Sequence, residues 1–131
     1  MAQELILIVE DNEKNIKLVR DLLQFNGYET IEAMTAEEGI EIAGTHHPAL
    51  ILMDIQLPGM DGITALQHLR ADPLTKAIPV VAITASVMTA ERKEILEAGF
   101  DGFQAKPISI KEFIPAIKNV LNSRLDRQDA S

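Results

Sequence analysis

Short apolar segments alternate with helical patterns five times along the chain, and this alternation restricts the possible folds more than any other feature of the sequence. The first, third and fourth segments are almost continuously apolar, which is typical of strands buried on both faces of a sheet. The second and fifth segments are more mixed and fit edge strands. In chain order, the predicted strands are Leu5–Val9, Glu29–Ala33, Leu50–Met53, Pro79–Ile83 and Gly102–Ala105.

Each predicted strand precedes a segment with the signals of a helix. Candidate helix caps are Asn12, Thr35, Asp61, Thr89 and Ser109, all of them residue types that favour this position. Stop signals lie at Gly27, His46–Pro48, Asp72–Pro73 and Gly99. Five strand–helix units predict an α/β fold: a doubly wound, flavodoxin-like parallel sheet of five strands in the order 2-1-3-4-5.

The end of the chain carries two further signals. Pro115 falls within the fifth helix, where a proline removes a backbone hydrogen bond, so we expect a kink or a loosened first turn. Residues 123–131 are polar, and we expect a frayed tail there. The chain of 131 residues is long enough for one core, and we assign residues 1–122 to a single domain.

Composition excludes several classes of protein. Twelve basic residues against twenty acidic ones give a net charge of −8, which disfavours a nucleic-acid partner. The absence of cysteine removes disulfides, thiolate catalysis and cysteine-based metal sites. The sequence shows neither an apolar run long enough for a membrane span nor a signal peptide. We therefore expect a cytoplasmic protein.

Polar side chains stand at the C-terminal ends of four predicted strands, and these ends meet at one edge of a parallel sheet. They are Glu10 and Asp11, Asp54, Thr84, and Lys106. Three crowded carboxylates repel one another, and a hard divalent cation such as Mg²⁺ relieves this repulsion. A lysine ammonium and a threonine hydroxyl can bind phosphoryl oxygens. The set predicts phosphoryl transfer onto a carboxylate nucleophile.

Motifs at these strand ends resemble those of the receiver domains of two-component response regulators. The matching segments are Ile6–Asn12, Leu52–Gly62, Val80–Ala85 and Phe103–Pro107. The resemblance extends from about Leu5 to Leu121. It is greatest to single-domain regulators of the DivK type and to the receivers of hybrid kinases.

The resemblance implies which residues handle the phosphoryl group. Asp54 would be the phosphoacceptor, and Lys106 would pair with the phosphoryl group. Thr84 would move to bond it, and Phe103 would turn inward behind it. The resemblance also implies a cis peptide between Lys106 and Pro107, and cis peptides occur almost only before proline.

The resemblance further implies a magnesium site, which Mn²⁺ can also occupy. Asp11 and Asp54 would bind the ion directly, together with the backbone carbonyl of Gln56. Glu10 would act through a water molecule. Gln56 and Ser86 would tune the access of water to the site.

By the same resemblance, the protein is a signalling switch and not an enzyme. A sensor or hybrid histidine kinase, or a histidine phosphotransfer protein, would donate the phosphoryl group. A downstream protein would bind the surface formed by the fourth helix, fifth strand and fifth helix. The chain would be a monomer or a weak homodimer.

Three other classes of function stay open. An aspartate-nucleophile phosphatase needs a second aspartate where this chain has Gln56. A flavin- or nucleotide-binding module needs a phosphate-cradling loop, whereas residues 10–13 are acidic and lack glycine. A degenerate receiver that acts only as a scaffold would not need the intact acidic pair, Asp54, Thr84 and Lys106.

Overall fold

A computed structural model of the protein contains a parallel sheet of five strands and five helices. It describes residues 4–57, 59–85, 89–106 and 108–130, with backbone alone for residues 89–92 and 124–130. The strands are β1 (Leu5–Val9), β2 (Glu29–Ala33), β3 (Leu50–Asp54), β4 (Val80–Thr84) and β5 (Gly102–Ala105). The helices are α1 (Glu13–Phe25), α2 (Ala36–His46), α3 (Gly62–Ala71), α4 (Thr89–Ala98) and α5 (Ile110–Ala130).

The strand order is β2-β1-β3-β4-β5, and every pairing is parallel. This confirms the predicted topology, including the positions of β2 and β5 at the edges. In the observed register Asp54 lies opposite Ile83 and Thr84 lies opposite Ala105. The last residues of β3, β4 and β5 therefore stand side by side at one edge of the sheet.

Two apolar layers cover the two faces of the sheet. Because side chains alternate along a strand, Ile6 and Ile8 of β1 pack with α1 and α5 on one face. Leu7 and Val9 pack on the other face with residues of α2, α3 and α4. All four side chains are fully buried. The nearly continuous apolar runs in the sequence reflect this burial on both sides.

The helix starts agree with most of the predicted caps. The side chains of Asn12, Thr35 and Asp61 each accept a hydrogen bond from a backbone N–H in the first turn that follows. The first turn of α5 closes on the backbone carbonyl of Ser109. Thr89 differs from the prediction, because it is the first helical residue of α4 and so lies inside the helix that it was expected to cap.

The last helix, α5, is continuous through Pro115 and extends to Ala130. Ile114 and Ile117, on either side of the proline, both pack into the core, and this packing supports the helix where the proline lacks an N–H. The backbone from residue 123 to residue 130 is helical and not the frayed tail that composition suggests. Among the described residues, no helix is both long enough and apolar enough to cross a membrane.

The Arg70 guanidinium group connects several elements at the N-terminal ends of the strands, opposite the ends that carry Asp54 and Thr84. Arg70, near the end of α3, donates to the carbonyl oxygens of Lys76 and Ile78 at 3.0 and 2.6 Å. It also donates to Asp101 Oδ2 at 2.9 Å, and the same oxygen accepts the N–H of Val80 at 2.9 Å. These bonds link the end of α3 to the starts of β4 and β5.

Substitution of Gly62 tests the close contact between the start of α3 and the backbone that follows β3. A Cβ at this position would lie 2.8 Å from Ile55 Cα and 2.9 Å from the carbonyl oxygen of Asp54. Because both neighbours are backbone atoms, we expect Gly62→Ala to lower the free energy of unfolding by roughly 1–3 kcal/mol. Urea denaturation followed by circular dichroism measures this change.

Gly44→Ala is the matched control. Gly44 also lies in a helix, but a Cβ there would have no neighbour within 4 Å. The substitution should raise the free energy of unfolding by about 0.5–1 kcal/mol, because alanine is the better helix former. Equal effects of the two substitutions would contradict the assigned close contact at Gly62.

Candidate functional site

The C-terminal ends of three strands bring Glu10, Asp54 and Lys106 together. Asp54 is the last residue of β3, while Glu10 and Lys106 directly follow β1 and β5. Backbone hydrogen bonds hold the two flanking residues, since Glu10 N–H donates to Ala33 O at 3.0 Å and Lys106 N–H donates to Thr84 O at 2.8 Å. The backbone hydrogen bonding of the sheet thus continues to Glu10 and Lys106 and fixes the positions of their Cα atoms.

Lys106 bridges two buried carboxylates. Its Nζ donates to Asp54 Oδ2 at 2.8 Å and to Glu10 Oε1 and Oε2 at 3.1 and 3.4 Å. Asp54 and Glu10 are each only 2% exposed. A buried carboxylate without a partner is costly, and the single ammonium offsets part of the negative charge that the two strands bring together.

Two further donors orient the carboxylates. The backbone N–H of Gln56 donates to Asp54 Oδ1 at 2.9 Å. The Asn15 side chain, in the first turn of α1, donates through Nδ2 to Glu10 Oε1 at 2.7 Å. Each carboxylate is therefore held both by Lys106 and by a neutral N–H group.

The two acids titrate differently. Burial raises the pKa of Glu10 to about 7, and the neighbouring Asp54 adds to this rise. Burial by itself would raise the pKa of Asp54 too, but hydrogen bonds shared with Glu10, Lys106 and the Gln56 N–H hold it below its ordinary value. Asp54 is therefore ionised at neutral pH and has the electron pairs that a nucleophile needs.

The titration of Lys106 supports the same picture. Burial lowers the pKa of its ammonium, but the bonds to Asp54 and Glu10 outweigh burial and raise it above the ordinary value. Lys106 therefore stays charged at neutral pH. A charged donor beside an ionised Asp54 suits the binding of an anionic group at this carboxylate.

The acidic residues fit a divalent cation. Glu10, Asp11 and Asp54 each offer a carboxylate oxygen, and these three oxygens lie within 4.8 Å of one another. Asp11 is exposed, whereas the other two are buried, so one side of the group is open to solvent. An all-oxygen set with room for water ligands is the kind of site that Mg²⁺ prefers.

The two predicted switch residues lie on neighbouring strands. Thr84 ends β4 and is 3% exposed. Phe103 lies on β5 opposite Ala82, is partly buried and packs against the apolar layer under α2, α3 and α4. The structure thus places Thr84 beside the site and Phe103 on a neighbouring edge strand.

The remaining predicted features have mixed outcomes. Gln56 is exposed and contacts Asp54 through its N–H, and the metal-binding role of its carbonyl stays a prediction. Pro107 and Ser86 lie outside the described residues. The cis peptide and the role of Ser86 therefore stay predictions as well.

Sequence reasoning missed two polar contacts. The bond from Asn15 to Glu10 had a local signal, because Asn15 stands three residues after the cap Asn12, at the position where a side chain reaches back over the helix start. The pair of Arg70 and Asp101 had no such signal. These residues are 31 positions apart in the chain, and only the folded chain brings them together.

Comparison with known proteins gives a consistent result. Residues 6–118 match the response regulator receiver domain family. The polar-differentiation response regulator DivK of Brucella ovis is 45% identical over 116 residues, which are 88% of this chain and 94% of the relative. DivK of Brucella anthropi is 44% identical over the same shares of both chains.

Solved structures agree with this match. A CheY-like response regulator receiver domain protein from Methanospirillum hungatei has a TM-score of 0.87 at 28% identity, covering 96% of this chain and 99% of its own. The receiver domain of a sensor histidine kinase from Pseudomonas aeruginosa has a TM-score of 0.84 at 29% identity, covering 92% of this chain and 99% of its own. That second structure holds a magnesium ion in its active-site cleft.

Removing the bridging ammonium tests the charge balance of the site. We expect Lys106→Met to lower the free energy of unfolding of the metal-free protein by roughly 2–3 kcal/mol, because two buried carboxylates lose a charged partner. Excess MgCl₂ should restore more stability to this variant than to the wild type. Urea denaturation with EDTA and with MgCl₂ measures both effects.

Lys93→Met is the matched control. The Lys93 side chain is 77% exposed and lies 4.0 Å from Glu97 one helical turn away, and such pairs contribute little. The free energy of unfolding of Lys93→Met should equal that of the wild type both with EDTA and with MgCl₂. If the two lysine variants behaved alike in EDTA, Lys106 would not be the group that balances the site.

Proposed function

The chain belongs to the response regulator receiver domain family, and we propose that it is a phosphorylatable signalling switch whose phosphoacceptor is Asp54. The observation that carries this proposal is the state of Asp54. Its carboxylate is buried at the end of a central strand and accepts a hydrogen bond from Lys106 Nζ at 2.8 Å. Its pKa is lower than that of an ordinary aspartate. A surface aspartate would have none of these supports.

The residues around Asp54 divide the work of phosphoryl transfer. An oxygen of Asp54 attacks the phosphorus of a phosphohistidine on the donor protein, and the bond between phosphorus and the histidine nitrogen breaks. Lys106 turns from the carboxylates to a phosphoryl oxygen, and the Thr84 hydroxyl donates a hydrogen bond to another phosphoryl oxygen. Both contacts stabilise the charge on the transferring group.

Asp11 and Asp54 would hold Mg²⁺ directly, with the carbonyl of Gln56 as a further ligand, and Glu10 would act through a water molecule. The bound ion supplies charge neutralisation for the phosphoryl oxygens. The grouping of three carboxylate oxygens within 4.8 Å supports this assignment. The magnesium ion in the related Pseudomonas aeruginosa receiver domain supports it further.

The output surface is proposed to be the α4–β5–α5 face. Among the described side chains of α4, Ile95 is the buried one, at 4% exposure, while Leu96 is 52% exposed. A helix whose described side chains, residues 93–98, are mostly exposed can shift at low cost when Thr84 and Phe103 move. The exposed Leu96 and Ile110 give this face apolar contacts for a downstream protein.

The donor is proposed to be a histidine kinase or a histidine phosphotransfer protein, and the site of action the cytoplasm. The family to which the chain belongs supports the class of donor. Signalling by this switch requires no catalytic turnover of a separate substrate. Its chemistry is limited to taking up its own phosphoryl group and slowly losing it.

Labelling identifies the phosphoacceptor. We expect the wild-type protein to gain one phosphoryl group from acetyl phosphate in the presence of MgCl₂, and Asp54→Asn to gain none, because an amide is not a nucleophile. Intact-mass spectrometry and Phos-tag electrophoresis measure the product. Asp21→Asn, a substitution at an exposed aspartate of α1, is the control and should be labelled like the wild type. Label on Asp54→Asn would rule out this assignment.

Beryllofluoride tests the switch separately from the chemistry. As a phosphoryl analogue bound at Asp54, it should change the amide NMR shifts of α4, β5 and α5 more than those of α2, which packs over β1 and β2. The protein should show no such change when EDTA removes Mg²⁺. A response confined to residues around Asp54 would identify a receiver that binds the group without switching.

A further inference from the structure

Asn15 connects the first turn of α1 to the acidic site. Its backbone N–H donates to the cap residue, Asn12 Oδ1, at 3.2 Å. Its side-chain Nδ2 donates to Glu10 Oε1 at 2.7 Å. Asn12 thus fixes the backbone of Asn15, and the Asn15 side chain in turn fixes Glu10. The phosphoryl chemistry described above gives Asn15 no part.

Glu10 depends on this contact because Lys106, which also bonds Glu10, has a second task. Its side chain is 2% exposed, and Lys106 reaches it at 3.1 and 3.4 Å. In the proposed reaction Lys106 turns to the phosphoryl group and leaves Glu10. The bond from Asn15 does not depend on that movement, since it comes from a helix anchored by its own cap.

The chemistry of the amide also suits a cation site. A carboxamide N–H can hold a carboxylate oxygen in place without adding charge. A lysine or arginine at this position would hold Glu10 but would repel a divalent cation nearby. An aspartate would place a fourth acid beside Glu10. Asparagine orients Glu10 and adds no charge of its own.

We propose that Asn15 is a positioning residue for Mg²⁺: its carboxamide holds Glu10 in the orientation from which Oε2, the Glu10 oxygen that Asn15 does not bond, accepts a hydrogen bond from a water ligand of the cation. This inference rests on the proposed function, because it assigns Glu10 to the metal. It goes beyond that function by adding a residue that touches neither the cation nor the phosphoryl group. The pairs Asn12–Asn15 and Asn15–Glu10 then make the start of α1 part of the metal site.

Titration with MgCl₂ tests the proposal directly. Amide NMR shifts of the 131-residue chain, recorded as MgCl₂ is added after EDTA treatment and buffer exchange, give a dissociation constant without any phosphoryl donor. We expect Asn15→Leu, which keeps the branched shape of the side chain and loses the donor, to weaken Mg²⁺ binding about tenfold. That is the low end of the range for partners of metal ligands, because Glu10 acts through water.

A kinetic measurement gives a second signature. With acetyl phosphate as donor, the MgCl₂ concentration that gives half the maximal labelling rate should rise about tenfold for Asn15→Leu. The rate at saturating MgCl₂ should stay within about twofold of the wild type, since Asp54, Lys106 and Thr84 are untouched. A lower rate at saturation with an unchanged half-saturating concentration would overturn the proposal.

Rescue and control variants separate positioning from helix stability. Asn15→Gln keeps the carboxamide, and glutamine at this helix position commonly reaches back over the helix start, so it should recover most of the affinity for Mg²⁺. Asn26→Leu removes an amide that donates to Leu22 O at the other end of α1, and it should bind Mg²⁺ like the wild type. Equal weakening by Asn26→Leu, or no recovery with Asn15→Gln, would overturn the proposal.

Two checks keep the outcomes distinct. Thermal unfolding in EDTA shows whether each variant folds, and Asn15→Ala replaces Asn15→Leu if leucine prevents folding. If the wild-type protein binds Mg²⁺ but takes up no phosphoryl group, the proposed function fails while the titration still decides the role of Asn15. If Asn15→Leu binds Mg²⁺ with the wild-type dissociation constant, the role of Asn15 fails while the proposed function stands.

Discussion

One ammonium group holds the functional edge of this protein together. Lys106 Nζ lies 2.8 Å from Asp54 and 3.1 Å from Glu10, two carboxylates that are almost fully buried. Without a cation these acids would repel each other across the ends of β1 and β3. The contact therefore joins β1, β3 and β5 at their C-terminal ends, and a ligand that attracts Lys106 changes the balance of all three. Under the proposed function, this coupling would make a charge at Asp54 a structural signal.

The contacts at the N-terminal ends of the strands differ in kind from those at the C-terminal ends. At the N-terminal edge, Arg70 and Asp101 tie α3 to the starts of β4 and β5 with several hydrogen bonds. At the C-terminal edge, the contacts are concentrated in charged side chains that a cation or a phosphoryl group can replace. Under the proposed function, the hydrogen bonds at the N-terminal ends of the strands would keep the central strands in register, while the charged contacts at the C-terminal ends rearrange and the region around α4 responds.

Much of the fold was predictable because its signals are local. Burial on both faces makes β1, β3 and β4 continuous apolar runs, and Asn12, Thr35 and Asp61 cap their helices as predicted. Thr89 was assigned as a cap and is instead helical, because a threonine hydroxyl suits either side of a helix start. The polar residues after 122 are helical to Ala130, since composition alone does not show where a supported helix stops.

The sequence by itself determined which side chains stand at the strand ends, because the end of a strand and the residues that follow it are neighbours in the chain and can be identified from local pattern. Parallel pairing then brings Glu10, Asp54, Thr84 and Lys106 to one edge for any chain with this strand order. Only the tertiary structure decided which of these distant side chains bond to one another: Lys106 bonds to both Glu10 and Asp54, and Arg70 bonds to Asp101. The reason is physical. These contacts join distant segments or depend on a side-chain direction set by packing, and neither property is encoded in local sequence.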